Sequence, residues 1–374
     1  PVIKIKNVAS GTLDMRGCQY ISCEVADTAA RFRASRGDIL IAMTGSHIHQ
    51  PSSMVGKVTR YTTDDVAYIN QRVGKVYSKD INKLNEDFLF YFLKWDETTY
   101  GLALSAGGSA NQANISASQI EGLQISLPCV DEQKAIAEVL LSLDAKIDLL
   151  ARQNKALEDL TQTYFRQHFI VEASDDWEVV RLGDILESLE SGSRPKGGID
   201  PELVDGIPSI GAESINGLGV YDFSKTKYVT KEYFNNMRRG VVKSHDVLIY
   251  KDGAYVGRKG MFGNGFPFDK FAVNEHVFIL RTNKKASQIF LYFLLQEEEL
   301  AQLNSNSAQP GLNQQAINAF EIVLPRIEII KDFDAFAEPL IDKIFENAKQ
   351  MRTLQILRDT LLPKLISGEV RVKQ

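Results

Sequence analysis

Two long stretches of the chain carry apolar residues in alternating steps of four and three. In the first, Ile136, Leu140, Leu143, Ile147, Leu150, Asn154, Leu157, Thr161 and Tyr164 form a heptad seam. Adding 197 gives Phe333, Ala337, Leu340, Ile344, Asn347, Met351, Leu354, Arg358 and Leu361, mostly apolar, with Asn347 and Arg358 as exceptions. Apart from Pro339, neither main span contains Gly or Pro. Each stretch predicts a helix of about 35–40 residues, roughly 50–60 Å at 1.5 Å per residue and longer than a small domain is wide. Such helices most simply bury their stripes on each other, in preference to docking separately. Running antiparallel, they would send the segments they follow to opposite ends, and the polar Asn154 and Asn347 would help fix register.

The rest of the chain has a mixed pattern. Short β-branched and aromatic runs such as Val247–Tyr250 and Val277–Leu280, bounded by Gly, Asn and Asp, predict strands. Glu86–Lys94 and Gln288–Gln296 predict short amphipathic helices. These elements recur in order. "GDILIAMTG" at Gly37–Gly45 returns as "HDVLIYKDG" at His245–Gly253, "VGKV" at Val55–Val58 as "VGRK" at Val256–Lys259, and "INQRVGKV" at Ile69–Val76 as "VNEHVFIL" at Val273–Leu280. "QIEGLQISLP", ending at Pro128, returns as "AINAFEIVLP", ending at Pro325, and the 197-residue register then holds to Glu172 against Glu369. One unit is present twice. The expected fold is α+β: two α/β domains separated by a pair of long antiparallel coiled-coil helices, with an internal two-fold repeat. The boundaries fall at 1–130 and 173–327 for the domains, and at 131–172 and 328–374 for the helices. Copy two opens with about 31 residues, from Trp177 to the Pro208 that aligns with Pro1, that have no counterpart in copy one. In the same register Gln374 falls opposite Trp177, which suggests a cyclic arrangement with neighbouring termini.

Repeated α/β heads, each followed by a helix that starts just after "LP", resemble the specificity subunit of type I restriction–modification systems. The supporting motifs are "LGDI" at Leu182–Ile185, "GSRP" at Gly192–Pro195, "DVLIYKDGAYVG" at Asp246–Gly257, "VNEHV" at Val273–Val277 and "LPxxDEQKAI" at Leu127–Ile136. Each is weak alone; their order and double occurrence make the match specific, and it covers essentially the whole chain. The resemblance implies two target-recognition domains, each reading half of a bipartite site on double-stranded DNA. It also implies spacer helices that dock two methyltransferase subunits, with restriction subunits as further candidate partners. Copy one departs from the pattern by its missing front segment and by extra residues around His47–Met54.

Composition constrains this picture only mildly. No stretch approaches a membrane span, no signal pattern opens the chain, and Cys18, Cys23 and Cys129 fit neither a zinc site nor a disulfide framework, so a cytoplasmic protein is expected. The net charge of −5 averages unlike segments. Residues 1–130 carry 13 basic against 12 acidic residues and 207–325 carry 13 against 11, whereas 173–206 carry 3 against 9. The heads are near neutral, and local potential, not the total, steers a ligand.

No Asn/Asp-Pro-Pro-aromatic loop, Gly-rich cofactor turn, nuclease carboxylate cluster or P-loop is legible, so neither catalysis nor a cofactor is expected. His47 and His49 lack a third ligand at sensible spacing and read as a surface loop. Phosphate and base-edge contacts need basic and amide or hydroxyl side chains. In copy one the candidates are Lys4, Lys6, Asn7, Thr44, Ser46, His47, Lys57, Asn70, Gln71 and Arg72. Copy two offers Glu213, Ser214, Lys251, Asp252, Tyr255, Arg258, Lys259, Asn274, Glu275 and His276. The polar loops Ser105–Asn114 and Asn304–Asn313 follow the short helices. Because the copies differ at aligned spots, an asymmetric DNA target is expected. The rival reading, a coiled-coil scaffold that binds only protein, gives no reason to duplicate a head and vary its polar loops. A fused enzyme would need a methyltransferase region.

Overall fold

The computed structural model describes residues 1–50, 53–109, 112–253, 255–303 and 311–372. The chain forms two compact units, residues 1–145 with 354–374, and residues 146–353. In the first, the apolar run Ile39–Ala42 is the central strand of an antiparallel sheet, flanked by Val58–Arg60 and Val73–Val76. Val2–Ile3 pairs in parallel with Ala67–Ile69, which leads straight into the turn before Val73. Against this packs Glu86–Lys94, started by the Asn85 side chain, which accepts the N–H groups of Asp87 and Phe88 at 3.0 Å. The sequence pattern predicts an amphipathic helix here, but Phe88 through Leu93 are all buried. A helix that is apolar all round belongs inside a core, and this one is enclosed by sheet residues such as Ile39 and Ile41 and by Ile136, Leu140, Leu362 and Leu365 of the long helices.

The second unit repeats the plan with more strands. Val247–Tyr250 lies between Val277–Thr282 and Lys259–Met261 in a five-stranded sheet that Leu186–Ser191 and Gly217–Leu218 complete. Ile207–Ile210 pairs in parallel with Ala272–Val273, as Val2–Ile3 does with Ala67–Ile69. Gln288–Glu297, capped by the Ser287 side chain, is the buried helix.

The heptad stretches form helix α1 (Val130–Arg166) and helix α2 (Ile327–Ile366). They run antiparallel in each unit: Glu132 pairs with Arg371, just past the end of α2, and Asp144 with Arg358 in the first, and Asn154 pairs with Asn347 and Tyr164 with Phe336 in the second. Ile136, Leu140, Leu150, Phe333, Ala337 and Ile344 are buried along the seam. Asn154 and Asn347, the polar residues of the two seams, meet. The Asn347 Nδ2 donates to Asn154 Oδ1 at 2.8 Å, and Asn154 Nδ2 donates to the Ile344 carbonyl at 3.1 Å.

Candidate nucleic-acid interface

At the C-terminal end of each central strand, four chain segments are tied together by one set of backbone hydrogen bonds. In the first unit Ala42 N–H donates to Lys57 O (2.9 Å), Gly56 to Ala42 O (2.9 Å), Met43 to Arg72 O (2.9 Å) and Ile115 to Met43 O (3.0 Å). In the second, Tyr250 donates to Arg258 O (2.8 Å), Gly257 to Tyr250 O (2.8 Å), Lys251 to His276 O (3.0 Å) and Leu312 to Lys251 O (2.6 Å). Donor and acceptor match position by position under the repeat alignment. The turn after the parallel strand is also built twice. The Asn70 side chain accepts the Arg72 N–H at 3.1 Å, and the Asn274 side chain accepts the His276 N–H at 3.0 Å. Asn bonding two residues ahead is how such a turn closes, so these asparagines shape the turn, and residues 71–72 and 275–276 are what it presents.

The presented side chains differ between the units. Gln71 and Arg72 are exposed, and Lys57 is half-buried on the neighbouring segment. In the second unit the Arg258 guanidinium lies 4.0 Å over the Tyr255 ring, which is 53% exposed, and donates to Asn216 Oδ1 at 2.7 Å. His276 Nδ1 pairs with Asp252 Oδ1 at 2.7 Å, Glu275 Oε1 accepts from Arg194 Nε at 2.9 Å, and Lys251 Nζ sits 5.4 Å over the Phe278 ring. A cleft of about 470 Å³ opens beside this group, lined in part by Arg194, Glu213, Lys225, Lys227, Glu275 and His276. Arg194, Lys225 and Lys227 were not among the sequence candidates. Arg194 stands in the "GSRP" motif, which marks it in hindsight, while the two lysines have no copy-one counterpart that would single them out. Gly192 makes the approach possible, because a Cβ there would fall 1.9 Å from Val273 O and 2.3 Å from Asn274 O.

Several sequence candidates are buried or have partners within the fold. Asn7 and Ser214 are 1% exposed. Asn7 accepts the Lys4 N–H at 2.8 Å and donates to Asp14 O at 2.6 Å, which holds the loop and leaves it nothing to offer a base. Thr44 and Ser46 are also buried: Thr44 Oγ1 donates to Asn114 Oδ1 at 2.6 Å, and Ser46 Oγ donates to Gln50 O at 2.7 Å. Half-buried Lys259 donates to the Glu298 carbonyl at 2.7 Å; burial holds its pKa below the ordinary lysine value despite Glu298 and Glu299 nearby. Lys4 bonds the Gln19 side chain and Lys6 the Gly17 carbonyl at 2.8 Å. His47 is half-buried, its ring centroid 6.1 Å from that of His49. Of the two polar loops, residues 110–111 and 304–310 lie outside the described residues. Among the described residues no group of three or more His, Cys, Asp or Glu could hold a metal, and no helix is long and apolar enough to cross a membrane.

Comparison with known proteins agrees with this duplicated scaffold. The chain is 28% identical over 336 residues to the type I restriction enzyme MjaIX specificity subunit of Methanocaldococcus jannaschii, spanning 82% of this chain and 73% of that protein. It is 22% identical over 441 residues to the HindI specificity subunit of Haemophilus influenzae, spanning 96% and 93%. Its fold is similar to the crystal structure of the type I restriction–modification S subunit from M. genitalium, with a TM-score of 0.55 at 20% identity over 90% of this chain and 84% of that one. Residues 1–159 and 174–350 each match the type I restriction modification DNA specificity domain, and with both of its halves accounted for, the chain belongs to that family of specificity subunits.

Proposed function

We propose that this chain reads an asymmetric, bipartite site on double-stranded DNA and performs no chemistry itself. Residues 1–130 and 173–327 are the two reading heads; 131–172 and 328–374 are spacer helices that dock two methyltransferase subunits, with restriction subunits as further candidate partners. The observation that carries this reading is the pair of strand-end scaffolds. They have the same backbone hydrogen bonds but different presented side chains: Lys57, Gln71 and Arg72 in one, Arg258, Glu275 and His276 in the other. A fixed backbone with varied polar side chains is what two different half-sites require, since phosphate contacts position a protein and base-edge contacts specify.

The test is DNA affinity measured against salt, with cognate methyltransferase subunits present. Counterion release predicts that log K falls linearly with log[salt], by roughly 0.9 per phosphate neutralised. Methylation mapped on a random library should converge on one two-part sequence. A complex that assembles but shows no salt-dependent DNA binding would establish a protein-only scaffold instead.

A further inference from the structure

The two copies of the reading turn differ at one position in a way that groove chemistry can interpret. Gln71 and Glu275 follow Asn70 and Asn274 in turns whose backbones are closed by the same bonds: Asn70 N–H to Ile3 O and Asn274 N–H to Ile210 O, both 3.0 Å, and Val73 to Asn70 O (3.0 Å) against Val277 to Asn274 O (3.2 Å). The two side chains have nearly the same shape and differ in hydrogen-bonding character. A glutamine amide carries a donor and an acceptor; an ionised carboxylate carries acceptors alone. Glu275 Oε1 is held by Arg194, and its Oε2, closed off from solvent, has no hydrogen-bond partner. It is an acceptor short of a donor on the wall of the cleft.

In the major groove adenine shows an acceptor beside its amine donor, guanine shows two acceptors, thymine shows an acceptor and a methyl, and cytosine shows an amine donor alone. A carboxylate is repelled by the acceptors of the first three and accepts from the fourth. A carboxamide matches adenine's pair. Building on the DNA-reading function proposed above, we infer that Glu275 selects a cytosine in the half-site read by the second unit, and that Gln71 selects an adenine at the equivalent place in the other half-site. On DNA the exposed Arg194 turns from Glu275 Oε1 to a phosphate, which leaves that oxygen, 3.5 Å from His276 Nε2, to accept from the base.

The substitutions Glu275→Gln and Gln71→Glu change charge and donor pattern with almost no change of volume, so the turns should survive them. Each variant is assembled with the methyltransferase subunits, and the methylated sequences are mapped on a randomised DNA library. The expected result for Glu275→Gln is replacement of cytosine by adenine at one position of one half-site, with preference there shifting roughly 10–100-fold and the other half-site unchanged. Gln71→Glu should produce the reverse exchange in the other half. Variants that direct methylation to an unaltered consensus would overturn the assignment of these two residues while leaving DNA reading intact. A natural chain that directs no sequence-specific methylation in a fully assembled complex would overturn the DNA-reading function itself.

Discussion

His245 sits at φ 65°, in the left-handed region, at the place where the other copy has Gly37 at φ 96°. A non-glycine residue there is uncommon, and Asn tolerates it better than most. Here the imidazole is used for packing: its centroid lies 5.6 Å from that of Phe345 on α2, and its Nε2 is buried with no hydrogen-bond partner. Burial holds the His245 pKa below the ordinary 6.5, outweighing Asp342, Glu338 and Asp246 nearby, which favour the charged form. The unfolded chain therefore binds a proton at a pH where the folded one does not, and stability drops as pH falls through the unfolded value toward the lower folded one. His245→Asn should remove this component. Urea midpoints taken between about pH 7.5 and 5.5 should fall less in the variant than in the natural chain. Equal slopes would mean that the buried ring is not titrating as described. The sequence aligned His245 with a glycine, which hints at the backbone requirement; that the ring would be covered by α2 is a tertiary fact that no local pattern carries.

At the level of elements, the heptad seams were legible because period and length are local properties, and so were the strands Val247–Tyr250 and Val277–Thr282. Arg358 looked like a flaw in the second seam. Its Nη1 instead donates to Asp144 Oδ1 at 2.7 Å, and Asp144 Oδ2 also accepts from Tyr91 Oη at 2.9 Å and Lys94 Nζ at 3.1 Å. Asp144 lies off the seam and 214 residues away, so the pairing depends on an antiparallel register that spacing alone leaves open. Burial pushes the Asp144 carboxyl up, but Lys94 and Arg358 prevail and hold it below the ordinary 3.8. Asp144→Asn takes the carboxylate away from Lys94, while Arg358 keeps Asp359 at 2.7 Å, and should destabilise the first unit by about 1–2 kcal/mol, less than breaking a fully buried pair because the side chains keep some exposure. Chemical denaturation would measure it. The deficit should be full above the ordinary aspartate value and close only as pH falls through the lower folded one, since Asp144 contributes while it is ionised.

For the whole molecule, the repeat was readable from matched motifs, and it led to the end of the central strand in each unit. Which side chains face outward was less legible. Asn7, Thr44, Ser46 and Ser214 have the composition of DNA contacts, yet they spend their hydrogen bonds or their burial inside the fold. Arg194 became visible only through the close approach that Gly192 permits. If each unit reads its own half-site, altering Lys251, Arg258 and His276 together should abolish or change recognition of one half and leave preference at the other intact. Methylation mapping of the assembled complex checks this, and scrambling of both halves alike would refute separate reading. The shared bond pattern of the two turns also bears on inheritance. Residues 70–72 and 274–276 sit in backbones closed by the same bonds, so gene conversion between the two halves of the coding sequence would carry one turn into the other frame, although Glu275 and His276 would leave Arg194 and Asp252 behind. If the proposed function holds, such an exchange, with the codons of those partners, would retarget a lineage or carry it toward a palindromic reader.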